Sequence, residues 1–166
     1  FDQIVHDVCL QNLPVVFCMD RGSLSGDDGP THHGLFDISY LRGIPNIVHM
    51  DPKDEDELAD MLYTAMLHNG PIAVRYPRGI GPGTPVKEQP VAIPIGNAEL
   101  LERTGNDRVA IFSLGAMLPV AREIAGALAS EGVAAAVINA RFAKPLDVQM
   151  IAQYARSAEM LLTLED

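Results

Sequence analysis

Between Asp20 and Gly34 the chain gathers side chains of two useful kinds. Asp27, Asp28, His32 and His33 can hold or pass protons, and Arg21 can hold an anion. A His near neutral pH can donate or accept a proton, and a nearby carboxylate can orient it. Arg78 stands just beyond a second apolar run that ends at Tyr76. If the two runs are neighbouring parallel strands, Arg21 and Arg78 emerge at the same sheet edge. Two guanidiniums there form a clamp, because each presents a fork of donors that fits phosphate oxygens. The plainer readings are a turn in which both imidazoles are solvated or satisfied by local backbone, and a surface arginine for Arg21.

The elements that must position these groups follow from the pattern on either side. Leu13 to Met19 is a continuous apolar run, which predicts a strand buried on both faces. The loop after it holds Gly22, Gly26, Gly29 and Gly34, so the backbone can turn sharply and approach a ligand. Open α/β sheets bind ligands at the carboxyl ends of their strands. Before the run, Ile4, Val5, Val8 and Cys9 share one face of an amphipathic helix. After the loop, residues 36–41 predict a short helix that turns Phe36, Tyr40 and Leu41 inward. A short strand at 47–50 precedes a capping box at Asp54 and Glu57, then Leu58, Met61, Leu62, Ala65 and Met66 at helical spacing. The strand at 72–76 completes an alternation that predicts a parallel sheet.

Prolines and glycines then crowd the chain and leave little room for regular structure. The expected division is a first α/β unit at 1–80, an extended linker at 81–96 and a second α/β unit at 97–166, each with its own sheet. In the second unit, residues 98–103 and 108–114 flank Thr104-Gly105-Asn106-Asp107, which predicts a β-hairpin. Pro119 opens a helix that Gly132 stops, 133–139 is a strand, Asp147 caps a helix, and 160–164 is a last strand.

Composition narrows the function classes. A formal net charge of −10 repels a phosphate-bearing polymer, so no nucleic-acid partner is expected. No apolar run is long enough for a membrane span, so no membrane partner is expected either. Cys9 and Cys18 lie in apolar runs and are expected to be buried, reduced thiols without metal-ligand spacing. Asp27, Asp28, His32 and His33 have ligand types that suit zinc or manganese, but adjacent histidines point apart and no further cluster supports them; no metal site is expected. The acidic run Asp51, Asp54, Glu55, Asp56, Glu57 and Asp60 is expected to be a solvated helix start. Arg75, inside a strand, is expected to make a structural ion pair, and His6, His49 and His68 have no assigned role.

Three stretches carry a resemblance: Phe1 to Val8, the loop and helix from Asp20 to Arg42, and Val74-Arg75-Tyr76-Pro77-Arg78-Gly79. In order and spacing they resemble the 1-deoxy-D-xylulose-5-phosphate synthase family, a branch of the thiamine-diphosphate-dependent transketolases. The resemblance implies a parallel-sheet, three-layer pyrimidine-binding domain followed by the start of an α/β transketolase C-terminal domain. It implies a transferase that decarboxylates pyruvate and condenses it with D-glyceraldehyde 3-phosphate, giving 1-deoxy-D-xylulose 5-phosphate, a precursor of isoprenoids, thiamine and pyridoxal phosphate. His32 and Asp28 match the active-site His and the acidic residue of the family's Asp-Gly-x-Thr-His pattern. Arg21 and Arg78 match its binders of the acceptor phosphate. Thiamine diphosphate and Mg2+ are implied for a longer parent, with the cofactor-binding residues expected upstream of Phe1, since no Gly-Asp-Gly motif is present. This stretch by itself is expected to be inactive. The resemblance further implies a homodimeric parent in a bacterial cytoplasm or, second, a plastid stroma. The enzyme alternatives are a transketolase and a 2-oxoacid dehydrogenase β chain. The non-enzyme alternative is a regulatory domain that binds a phosphorylated metabolite.

Overall fold

Strands alternate with helices along a computed structural model that describes residues 1–166. In the first half, β1 (Val16–Gly22), β2 (Val48–Met50) and β3 (Ile72–Pro77) form a parallel sheet with β3 in the middle. Helix α2 (Glu55–Leu67) covers one face of it, burying Met61 and Ala65 against Val48, Ile72 and Val74. The amino-terminal helix and α1 (Asp37–Arg42) cover the other face, burying Cys9, Leu41, Ile44 and Ile47 around Ala73. This is the expected three-layer α/β arrangement. The first helix is wound wider than an α-helix over Ile4–Cys9, with the Leu10 N–H reaching the Val5 carbonyl at 2.9 Å.

The second half builds another sheet, from β4 (Glu99–Glu102), β5 (Val109–Ser113), β6 (Ala135–Asn139) and β8 (Met160–Leu164), in the order β4-β6-β5-β8. Helix α3 (Leu118–Ser130) packs on one face and α4 (Val148–Ser157) on the other. Asp147 caps α4 as expected, its carboxylate accepting the Met150 N–H at 2.8 Å.

Several expectations are corrected. Strand β1 lies at the edge of its sheet, and Cys18 on it is exposed rather than buried. Residues 98–114 do not form a hairpin, because β6 inserts between β4 and β5 and pairs with both. The second unit is not wholly separate: β7 (Phe142–Lys144) leaves it and pairs antiparallel with β2, extending the first sheet. In α1 the inward residues are Asp37, Ile38 and Leu41; Phe36 precedes the helix and is exposed, as is Tyr40. The acidic run is not simply solvated, since Asp51, Glu57 and Asp60 are buried.

The fate of those acids explains how residues 83–93 are held without regular structure. Glu55 accepts the Gly83 and Thr84 N–H groups, Asp56 that of Lys87, and Asp60 that of Val91, at 2.7–3.1 Å. One turn further along α2, the Thr64 hydroxyl accepts the Ile93 N–H at 2.8 Å, and the Ile93 side chain enters the core. Side chains on one helix thus supply the acceptors that a strand would otherwise give this segment.

Candidate functional site

Arg21 and Arg78 come together because of the register between β1 and β3. Gly22 stands opposite Pro77, so Arg21 and Arg78 leave adjacent strands at the same end. The loop between Gly22 and Gly34 then folds back on its own stem. Ser23 and Gly34 exchange two backbone hydrogen bonds, of 3.1 and 2.9 Å. Any Cβ on Gly34 would run into the Arg21 carbonyl, so this closure requires glycine. Arg21 and Ser23 take left-handed backbone conformations, with φ of 60° and 72°, which turns the chain sharply out of the strand.

Within the loop, Asp28 is the meeting point. Its Oδ2 accepts the Arg21 Nε–H at 2.9 Å and is also in an ion pair with Arg78. Arg21 reaches back to Asp20 as well. Two guanidiniums therefore converge on one carboxylate oxygen, at a partly exposed position. Oxygens of a phosphate are the other group that this convergence of donors suits.

The two histidines have different surroundings. His33 is part of the scaffold: its Nδ1 accepts the Ser25 N–H at 2.9 Å, across the loop. His32 is exposed, and its Nδ1 lies 3.1 Å from the Thr31 hydroxyl. The structure brings Asp28 to the arginines and not to His32, so His32 is free to present a ring nitrogen outward. His33 and Asp28 are both committed to protein donors, and no group of three or more His, Cys, Asp or Glu side chains gathers to hold a metal ion. The residues present do not make a fit for Mg2+ or for a metal-bound diphosphate.

Beside Arg78 lies a cleft of about 590 Å³ lined by Asp20, Lys53, Asp54, Tyr76, Arg78 and residues 79–82 among others. Lys53 and Tyr76 are lining residues that the sequence pattern did not single out. A larger, apolar cleft of about 630 Å³ lies elsewhere, against Phe112, Leu114, Leu146 and Leu164. It is lined by neither Arg21 nor Arg78, so the smaller cleft, lined by Arg78, is the candidate site.

Two buried charge clusters frame this region. In the first, Arg75 meets Asp37, Asp51 and Asp166, which bears out its reading as a structural ion-paired residue. Burial pushes the Asp51 carboxyl up to about 7; Arg75 opposes that, while Asp166 and Asp37 add to it. In the second, Glu57 takes hydrogen bonds from Lys53, Asn139 and Arg141. Burial would raise its pKa, but those donors outweigh burial and hold it below the usual range.

Comparison with known proteins places the geometry in context. Residues 1–83 match the family described as transketolase, pyrimidine binding domain, and residues 96–166 match transketolase, C-terminal domain. A protein of Acidobacterium capsulatum named 1-deoxy-D-xylulose-5-phosphate synthase is 70% identical over 166 residues. A protein of the same name from Methylacidiphilum infernorum is 60% identical over the same length. Each alignment covers 100% of this chain and 26% of the relative, so the chain spans about a quarter of their length. Among solved structures, a split gene transketolase described as an inactive beta4 tetramer superposes with a TM-score of 0.85 at 28% identity, covering 100% of this chain and 52% of that one. A transketolase mutant from Pichia stipitis, at 19% identity and a TM-score of 0.73 over 95% of this chain and 24% of that one, shares the fold.

Proposed function

The chain belongs to the transketolase family, and from that premise we propose that it forms the acceptor-binding part of a 1-deoxy-D-xylulose-5-phosphate synthase. The longer protein would decarboxylate pyruvate and join the remaining two-carbon unit to D-glyceraldehyde 3-phosphate. The observation that carries this reading is the convergence of Arg21 and Arg78 on one oxygen of Asp28, beside a cleft that Arg78 lines. Thiamine diphosphate enters through family membership; the residues of this chain do not gather to hold it or its metal.

This chain's own residues would act on the aldehyde acceptor. Its phosphate competes with the Asp28 carboxylate for the two guanidiniums, and the dianion gains two charge-assisted contacts. Asp28 neutralises the arginines otherwise, so the clamp is held in shape without an uncompensated pair of cations. His32, exposed near the loop's stem, would donate or accept a proton at a substrate oxygen. The left-handed turn at Arg21 sets the direction from which its guanidinium approaches.

The test is steady-state kinetics on the longer protein that carries this sequence. A lost charge-assisted contact costs about 1.5–3 kcal/mol, roughly tenfold to a hundredfold in apparent affinity. Arg21→Ala and Arg78→Ala should raise KM for glyceraldehyde 3-phosphate by that factor and spare KM for pyruvate. Unphosphorylated glyceraldehyde should barely register either change. His32→Ala should slow turnover with both aldehydes. Equal losses for phosphorylated and unphosphorylated acceptors in the arginine variants would refute the clamp, and a ketose phosphate replacing pyruvate as donor would point to a transketolase instead.

A further inference from the structure

Arg75 is among the most enclosed side chains in the molecule, with 1% of its surface exposed. An arginine offers five N–H donors. Here all five are used: Nε donates to Asp37 at 2.9 Å, Nη1 to Asp51 at 2.7 Å and Asp166 at 2.8 Å, and Nη2 to the carbonyls of Gly34 at 3.2 Å and Asp166 at 2.7 Å. Those partners come from separate parts of the fold. Gly34 closes the loop, Asp37 opens α1, Asp51 follows β2, and Asp166 belongs to the second unit just after β8.

The same side chain also braces the other stem of the loop. A Cβ on Gly22 would lie 3.0 Å from Cγ, Nε and Cζ of Arg75, so the backbone at Gly22 rests directly on it. Gly22 and Gly34 are the two ends of the segment that carries Asp28 and His32, and Arg21 immediately precedes it. Arg75 thus touches both ends of the loop and the second unit at once. One further feature ties this hub to the same boundary: Asp51 Oδ1 is buried without a hydrogen-bond partner and crowds the space beside Gly115, which lies in the turn after β5.

We propose that Arg75 is a positioning residue for the acceptor site: it locks both stems of the 22–34 loop to Asp166 of the second unit and so sets where Arg21, Asp28 and His32 stand. It touches no substrate and acts through the loop. This rests on the reading of Arg21 and Arg78 as the acceptor-phosphate clamp. A lysine at this position keeps the charge but presents its donors from one point, and cannot reach five acceptors in a plane. The planar fork, and not the charge alone, is what the hub uses.

The experiment measures acceptor selectivity in the longer protein, as the ratio of kcat/KM for glyceraldehyde 3-phosphate to that for glyceraldehyde. Wild type, Arg21→Ala, Arg75→Lys and Asp166→Ala are compared, with circular dichroism to verify folding. Arg75→Lys should fold and lose about tenfold in the ratio, as expected when one charge-assisted contact of the clamp is misplaced. Asp166→Ala, which keeps Arg75 and its other carboxylates, should move the ratio in the same direction by several-fold. Should Arg75→Lys fail to fold, the Asp166→Ala ratio alone decides. A merely structural arginine would lower kcat for both aldehydes alike and leave the ratio at its wild-type value, and that result overturns the inference. If wild type shows no preference that Arg21→Ala removes, the clamp itself is wrong and this inference falls with it. If the preference exists and Arg21→Ala removes it, while the folded Arg75 and Asp166 variants retain it, only this inference fails.

Discussion

Glu57 is the carboxylate whose loss should most weaken the junction between the two sheets. It sits in the first turn of α2 with 2% of its side chain exposed. Its oxygens accept the Lys53 N–H at 2.9 Å, Lys53 Nζ at 3.1 Å, Asn139 Nδ2 at 2.9 Å on both sides, and Arg141 Nε at 2.7 Å. Two of these donors come from the second half of the chain. Removing one partner of a buried pair costs about 3–5 kcal/mol, because the remaining charges stay buried and unpaired. Here Lys53 and Arg141 retain Glu99 and are each 18% exposed, which places Glu57→Ala near the lower end, about 3 kcal/mol. In a domain of this size that is a fall in Tm of roughly 6–12 °C. Glu57→Gln keeps the volume but turns an amide NH2 toward donors, and should cost about 1–3 kcal/mol. The pH dependence fixes the sign. The carboxyl is held below its ordinary 4.5 in the folded protein, so its contribution is full above pH 4.5 and is lost as pH falls through the folded value. Urea unfolding followed by circular dichroism at pH 7 and at pH 3 measures both effects. A loss under about 1 kcal/mol for Glu57→Ala at pH 7, or an equal loss at both pH values, would show that the ionised Glu57 does not hold this junction.

Three further outcomes are expected. His49 is fully buried, neither ring nitrogen has a hydrogen-bond partner, and burial chiefly pushes its pKa down to about 4, so folded stability should fall as pH drops from 6.5 toward 4. His49→Leu should raise stability by about 1–3 kcal/mol, with a gain that grows across that window in thermal melts. Asp51 keeps its proton in the folded protein up to about pH 7, against 3.8 ordinarily, so wild type should lose stability relative to Asp51→Asn as pH rises between those values; melts with parallel pH profiles would contradict this. Strand β1 presents an unpaired edge on which Cys18 is exposed, so sedimentation should show concentration-dependent association that Cys18→Lys reduces, and a monomer at every concentration would count against an edge-mediated contact.

Much of the site was legible from local pattern. A run of apolar residues followed by Arg21 and a glycine-rich loop, and a second run followed by Arg78, were enough to place two guanidiniums at one sheet edge. Strand signals and parallel order are written in windows of a few residues, and β1 and β3 do pair in the register that aligns the two. The helix caps at Asp54 and Asp147 were legible for the same reason, since each bonds to a backbone N–H three residues on. The hairpin at 98–114 failed because turn chemistry specifies a bend, not which strand fills the space beside it; β6 took that place.

The partners brought together over long stretches of chain were fixed only when the elements closed on one another. Asp28 could have paired with His32 or with either arginine, and every choice satisfies the local sequence; the closure of the loop on Gly34 chose the arginines. The acidic run had the composition of a solvated helix start, yet its members hold the segment 83–91, Arg75 and Arg141, because those donors arrive from other elements. Arg75 and Asp166, or Glu57 and Asn139, meet only after both sheets have formed. Hydrophobic period and turn residues determine elements one at a time. Which buried charge meets which depends on how the elements close on one another, and a charge taken out of water must then be matched by whatever that closure brings within reach.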